Sequence, residues 1–248
     1  MTATELELAA ALAGLSASVH WQEVTGSTNA DAVALALDGA PEWTLVGAGH
    51  QTAGRGRLGR TWLDRPGGSL MTSLVLRPQL HPDRLGLLTL LAGAAWAEAA
   101  TDATGLEVRC KWPNDLVLDE RKVGGLLAES SVEGDEVRWV VIGSGVNLAD
   151  PGVEGSAGLG EVDPAPLLGG FLRRFAQGYA MPAAEFDGAV VERWSTISAT
   201  LGRLVTAVAA DGVRRRGTAV AIDRAGRLVV ETDDGPVAVA SDEIEHLR

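Results

Sequence analysis

His50-Gln51-Thr52-Ala53-Gly54-Arg55-Gly56-Arg57-Leu58-Gly59-Arg60-Thr61-Trp62 is the stretch on which the reading of the fold turns. Gly54, Gly56 and Gly59 spell G-x-G-x-x-G, and Gly54, Gly59, Arg60 and Thr61 come within one residue of G-x-x-x-x-G-K-[ST]. Either phosphate loop works only where a helix begins at its end, because the free amides of that helix meet the phosphate. Here Trp62 is followed by the breaker cluster Asp64-Arg65-Pro66-Gly67-Gly68 and then by a strand-like segment over 69–77. The loop therefore joins two strands, and neither motif applies.

What remains is a glycine-arginine loop that can approach a ligand closely and present guanidinium groups to it. The charge map favours an anion site over a solvated basic turn. Residues 1–54 carry six acidic side chains and no Lys or Arg, after which Arg55, Arg57, Arg60 and Arg65 arrive together.

The 248 residues are 46% hydrophobic, enough for one large domain and a small one. A formal charge of -12 argues against nucleic acid or an acidic membrane as the main partner, since both need a broad basic face. The single cysteine, Cys110, excludes an intrachain disulfide framework and suits a reducing compartment, with packing as its expected role. The first residues lack the basic region of a signal peptide, and no apolar run is long enough to span a bilayer, so a cytoplasmic protein is expected.

Along the chain, helices are expected over 4–13, from 26–31 through 37, over 83–101, 165–180 and 183–198. Strands are expected over 19–24, 43–49, 69–77, 106–110, 115–118, 123–129 and 137–142. Ser27 or Thr28 suits an N-cap, with Thr28 to Asp31 spaced as a capping box. Capping accounts for these hydroxyls, and a polar ligand at a helix start accounts for them equally well. Trp96 reads as core. Lys111-Trp112-Pro113-Asn114-Asp115 is either a hairpin corner or a dense set of functional groups. The next hairpin should close around 119–121, with Lys122 at the start of the returning strand. Gly143-Ser144-Gly145-Val146-Asn147 should end its strand. Past a loop over 151–163 and the two helices, short alternating strands over 203–209, 213–222, 227–232 and 236–240 mark a small appended barrel.

Gly26-Ser-Thr-Asn29, the Gln51–Trp62 loop, Lys111-Trp-Pro-Asn-Asp-Leu116, Lys122-Val-Gly-Gly-Leu-Leu-Ala-Glu129 and Gly143-x-Gly-x-Asn147 together resemble biotin protein ligases, in the same order. The resemblance implies an α+β fold: a mixed sheet with flanking helices, class II synthetase-like, over 1–200, and a C-terminal SH3-like β-barrel over 201–248. It also implies a two-step activity in which biotin and ATP form biotinyl-5′-adenylate, and a lysine of a biotin carboxyl carrier protein then takes the biotinyl group. Carried onto matching positions, Ser27, Thr28, Asn29, Gln51, Gly54, Arg55, Gly56, Gly125, Gly143 and Gly145 would form the biotin site. Arg57 and Lys122 would hold the biotin carboxylate and then the phosphate, with Lys111 and Asp115 completing the catalytic set, Asp115 being either a lysine-orienting carboxylate or a turn residue. Arg60, Trp62, Asn114 and Asn147 would contact the adenylate. Mg²⁺ is expected to assist, with no protein ligand assigned.

Only about twenty residues precede the first motif, which suits the class without a DNA-binding domain, and a monomer or a weak ligand-promoted homodimer is expected. Val123-Gly124-Gly125-Leu126 stands where Ala-Gly-Ile is frequent, which bears on pocket shape. Two rivals remain: a lipoate or octanoate ligase or transferase of the same superfamily, and a non-enzymatic biotin-responsive regulator.

Overall fold

The computed structural model describes residues 1–208, 214–239 and 244–246. In chain order the elements are α1 (Ala3–Leu12), β1 (Val19–Thr25), α2 (Thr28–Leu37), β2 (Thr44–Gln51), β3 (Ser69–Leu76), α3 (Leu85–Thr104), β4 (Arg109–Lys111), β5 (Asp115–Leu118), β6 (Arg121–Glu133), β7 (Glu136–Asn147), α4 (Pro164–Tyr179) and α5 (Ala183–Thr196). Five short strands follow: β8 (Leu204–Val208), β9 (Arg214–Ile222), β10 (Leu228–Thr232), β11 (Gly235–Val239) and β12 (Ile244–His246).

β1 to β7 form one mixed sheet in the order β1-β2-β3-β7-β6-β5-β4; only the β1–β2 pair is parallel. α3 carries the chain from β3 across the sheet to its far edge, and the β4–β7 meander returns to pair with β3. Strand alternation sends successive side chains to opposite faces. On one face Leu45, Leu74, Val140 and Ile142 join the apolar sides of α1, α3, α4 and α5, with Trp96 stacked on Phe171 at its centre. On the other, Val46, Val75, Trp139 and Val141 lie under Ala32 and Ala36 of α2. That second face has one helix where the first has four, which leaves room for a cavity beside α2.

Three expectations are corrected. Gly143–Asn147 does not end its strand: it continues β7, pairing with β3 on one side and β6 on the other. Ladder hydrogen bonds from both neighbours outweigh the low strand preference of glycine. The 115–129 hairpin turns on two residues, Asp119 and Glu120, at φ 48° and 65°, and Arg121 already belongs to β6. The strand before Lys111 is only Arg109–Lys111; it gains a further partner from the segment leading into the small domain, where Cys110 N–H donates to Ile197 O (2.9 Å) and Ala199 N–H to Cys110 O (2.7 Å).

β8 to β12 form a separate antiparallel sheet, ordered β11-β10-β9-β8-β12. The expected turn at Asp211-Gly212 and the ends at 209, 213 and 240 lie outside the described residues. Among the described residues no helix is long and apolar enough to cross a membrane.

Candidate active site

β7 builds the cavity floor by running out of side chains. Trp139 and Val141 fill the space under α2, and the next two positions on that face are Gly143 and Gly145. The hollow above them is about 570 Å³ and is bounded by the start of α2, the arginine loop and the Lys111–Asp115 turn. Both glycines are needed for what lies over them. A Cβ at 143 would stand 2.2 Å from Asn29 Oδ1, and one at 145 would stand 2.6 Å from the six-membered ring of Trp62.

At one end the lining is neutral and polar. Gln51, the last residue of β2, places Oε1 2.7 Å from the Thr28 amide and 3.1 Å from the Thr28 hydroxyl, both of which donate to it. Gln51 thus satisfies a free amide at the start of α2 from another element. Ser27 is the N-cap by backbone geometry, but its side chain makes no capping bond. The expected Thr28–Asp31 capping box does not form either. The Asp31 carboxylate is taken by the Thr25 hydroxyl (2.6 Å) and the Gln22 amide (3.0 Å), both from β1. The Ser73 hydroxyl lies 3.0 Å from Thr28 Oγ1 and 3.1 Å from Asn29 Oδ1, and the Asn29 amide group donates to Glu129 on β6.

At the other end the lining is cationic. Lys122 Nζ sits 2.6 Å from Asp115 Oδ1, close over Gly125, and 5.9 Å from the Trp62 ring centre. The Asp115 carboxylate is thus paired with this lysine, while its backbone opens β5. Strand β6 is held at this point by a chain passing outside it: Lys122 N–H donates to Gly155 O (2.8 Å) and Ala157 N–H to Lys122 O (2.9 Å). Asn114 donates to Leu126 O (2.5 Å) and accepts from Arg57 Nη1 (3.3 Å), tying the turn to the arginine loop. Lys111 and Arg60 also line the cavity.

The loop itself is a small hairpin, bridged between Arg55 and Thr61, with Gly56 N–H donating to Arg60 O (2.7 Å) and Trp62 N–H to Gly54 O (2.9 Å). A 3-10 turn over Arg57–Gly59 is its one helical element. His50 Nδ1 and Asp64 Oδ2, 3.0 Å apart, clasp its base. Trp62 Nε1 is buried and has no hydrogen-bond partner among the described residues.

Sixteen of the expected site residues line this one cavity: Ser27, Thr28, Asn29, Gln51, Arg55, Gly56, Arg57, Arg60, Trp62, Lys111, Asn114, Asp115, Lys122, Gly125, Gly143 and Gly145. Two do not. Gly54 faces a hollow on the outer side of the loop. Asn147 is buried, with Oδ1 accepting from the Ser69 hydroxyl (3.3 Å) and Nδ2 donating to Ala157 O (3.2 Å). Ser73 and Glu129 went without a role in the reading of the sequence. Ser73 carried only a weak signal, being one of three hydroxyl residues, with Ser69 and Thr72, in an otherwise apolar strand. Cys110 is in the core as expected; burial, and then the Glu98 charge, push its thiol far above the usual range.

Residues 21–147, more than half of the chain, match the model of the biotin/lipoate A/B protein ligase family. The chain belongs to that family. Residues 200–247 match the biotin protein ligase C-terminal domain, which sets this family member with the biotin ligases. It is 34% identical over 237 residues to the bifunctional ligase/repressor BirA of Bacillus subtilis, covering 91% of this chain and 73% of the relative. With the biotin–[acetyl-CoA-carboxylase] ligase of Paracoccus denitrificans it shares 35% identity over 243 residues, 89% of this chain and 97% of that one. The biotin protein ligase from Aquifex aeolicus in complex with biotin and ATP superposes with a TM-score of 0.74 at 26% identity, over 93% of this chain and 99% of that one. The fold of this ligase is thus the α+β fold of biotin protein ligase structures.

Proposed function

We propose that this ligase forms biotinyl-5′-adenylate from biotin and ATP and transfers the biotinyl group to a lysine of a biotin carboxyl carrier protein. The observation that carries this is the division of one cavity into a neutral hydrogen-bonding end and a cationic end. The ureido ring of biotin needs paired donors and acceptors, which Thr28, Gln51, Asn29, Ser27 and the backbone around Arg55 and Gly56 supply. The carboxylate at the other end of biotin then falls among Arg57, Lys111 and Lys122.

In the first step a carboxylate oxygen attacks the α-phosphorus, a P–O bond forms, and the bond to the β-phosphate breaks to release pyrophosphate. Two anions must meet, so the cations offset their repulsion and the charge that develops on the phosphoryl group. Asp115 holds the Lys122 ammonium in place. Arg57 and Arg60 retain the phosphate, Asn114 keeps Arg57 directed inward, and the unpaired Trp62 N–H and its ring border the adenine. In the second step the amine of the carrier lysine attacks the acyl carbon, an amide forms, and AMP leaves.

Mg²⁺ characteristically binds through one or two carboxylates and substrate phosphates. Asp115 is the one carboxylate among the described lining residues, which suits an ion carried mainly by the triphosphate, where it would neutralise phosphate charge. The division into a catalytic unit over 1–200 and a small domain over 201–248 belongs to the same reading. The test is pyrophosphate release from ATP on adding biotin, lipoate or octanoate. Release with biotin alone is expected; release with lipoate or octanoate would favour the rival substrates, and none with any of them would favour a non-enzymatic regulator.

A further inference from the structure

Trp112 is buried in the turn that also carries Lys111, Asn114 and Asp115, and that turn hangs on β4 and β5, the outermost pair of the large sheet. It is held from outside by the C-terminal part of the chain. The Trp112 N–H donates to Thr200 Oγ1 (2.8 Å), and its indole Nε1–H donates to Gly226 O (3.2 Å), in the turn between β9 and β10. The β9–β10 turn itself rests on the first turn of α3. A Cβ at Gly86 would lie 3.1 Å from Ala225 O, and one at Gly226, whose φ is 81°, would lie 3.2 Å from the Gly86 carbonyl carbon. Two glycines thus let helix and turn meet backbone to backbone. At the neighbouring corner Arg203 pairs with Glu120, two residues before Lys122. Packing alone does not seat Trp112, because a hollow of about 130 Å³ remains among Thr89, Leu90, Trp112, Pro113 and Gly226.

We infer that Trp112 is a positioning residue for the reaction with ATP, seating the Lys111–Asp115 turn on the β9–β10 turn and so setting the direction in which Lys111 and Asn114 enter the cavity. Both of its hydrogen bonds pair groups that are costly to bury alone, which gives the turn one favoured seat beside an unfilled hollow. The inference rests on the biotin-and-ATP reading of the site. Its effect falls on ATP and not on biotin, since Thr28 and Gln51 at the neutral end are held by each other.

The test is Trp112→Phe, which keeps an aromatic ring in the core and removes the indole donor. With biotin saturating, kcat/KM for ATP in pyrophosphate release should fall about tenfold, as the loss of one donor to a buried carbonyl implies. The dissociation constant of biotin, measured by calorimetry without ATP, should stay unchanged. Gly86→Ala is the second variant: alanine favours a helix more than glycine does, yet its methyl group would press on Ala225 O and unseat the same turn. It should lower the same kcat/KM, and the double variant should fall no further than the weaker single one. Hydrogen exchange of the peptide over 109–118, followed by mass spectrometry, should be faster in both variants. An unchanged kcat/KM for ATP, an equal loss in biotin affinity, unchanged exchange, or full additivity of the two substitutions overturns the inference. If Trp112→Phe does not fold by circular dichroism, Gly86→Ala decides alone. If the wild type releases no pyrophosphate with biotin, the functional reading fails instead, and the exchange rates alone decide whether Trp112 seats the turn.

Discussion

Gly143→Ala puts a methyl group where the structure has an amide oxygen. The added Cβ would lie 2.2 Å from Asn29 Oδ1 and 2.9 Å from Asn29 Cγ. Asn29 is a short side chain, 4% exposed, held at both ends, so it cannot swing aside and keep its bonds. Its hydrogen bond to the Glu129 carboxylate is of the kind worth about 1.5–3 kcal/mol, and the one from Ser73 about 0.5–1.5 kcal/mol. Replacing glycine lowers the entropy of the unfolded chain and returns about 0.4–1 kcal/mol. The net loss should be about 2–3 kcal/mol, measured as a shift of the urea midpoint with an unchanged slope, followed by tryptophan fluorescence. The decisive comparison is Gly143→Ala in an Asn29→Ala background, where the colliding atoms are gone and the substitution should cost almost nothing. An equal cost in both backgrounds would refute the reasoning, because it would place the penalty in the strand and not in Asn29.

Lys122→Ala should lower kcat for pyrophosphate release by about 10²–10³, the usual loss for one group that stabilises transition-state charge, while the circular dichroism spectrum is kept; near-normal turnover would return Lys122 to an ordinary strand-end lysine. Arg57→Gly should loosen retention of the adenylate by about one to two decades, the worth of one charge-assisted contact. Biotin should then appear on lysines of a bystander protein, whereas labelling confined to the carrier would show that Arg57 does not hold the phosphate. Cys110, whose thiol burial and the Glu98 charge push far upward, should resist iodoacetamide at pH 8 in the native protein and react in 8 M urea-type denaturing conditions; alkylation of the folded protein, read by mass spectrometry, would contradict its place in the core.

Much of the site was legible because its pieces are short and local. A breaker cluster and an apolar strand after Trp62 decide that the loop joins β2 to β3, and that excludes a helix-borne phosphate site from the sequence alone. The lysine, amide and carboxylate of Lys111–Asp115 were conspicuous for the same reason, being crowded into one turn. What stayed hidden depends on partners from elsewhere. Thr28 and Asp31 have the spacing of a capping box, yet β1 takes Asp31 and β2 supplies Gln51 to the first turn of α2. A local motif yields when a neighbouring strand brings a better-placed partner.

The Gly143–Asn147 segment shows the same limit from the other side. Read locally, alternating small residues after Ile142 announce the end of a strand; in the sheet they continue it, with β3 and β6 on either edge. The glycines are not there to bend the backbone. They are there because Asn29 and Trp62 occupy the space their side chains would need, and those two residues come from positions 114 and 83 earlier in the chain. No window along the sequence contains both members of either pair. The order β2-β3-β7-β6 brings them together, and it also brings Glu129 within reach of Asn29, 100 residues away. A carboxylate on an alternating strand reads as solvated until the opposite wall of the cavity is known, so a residue that joins two walls is visible only once the sheet is assembled.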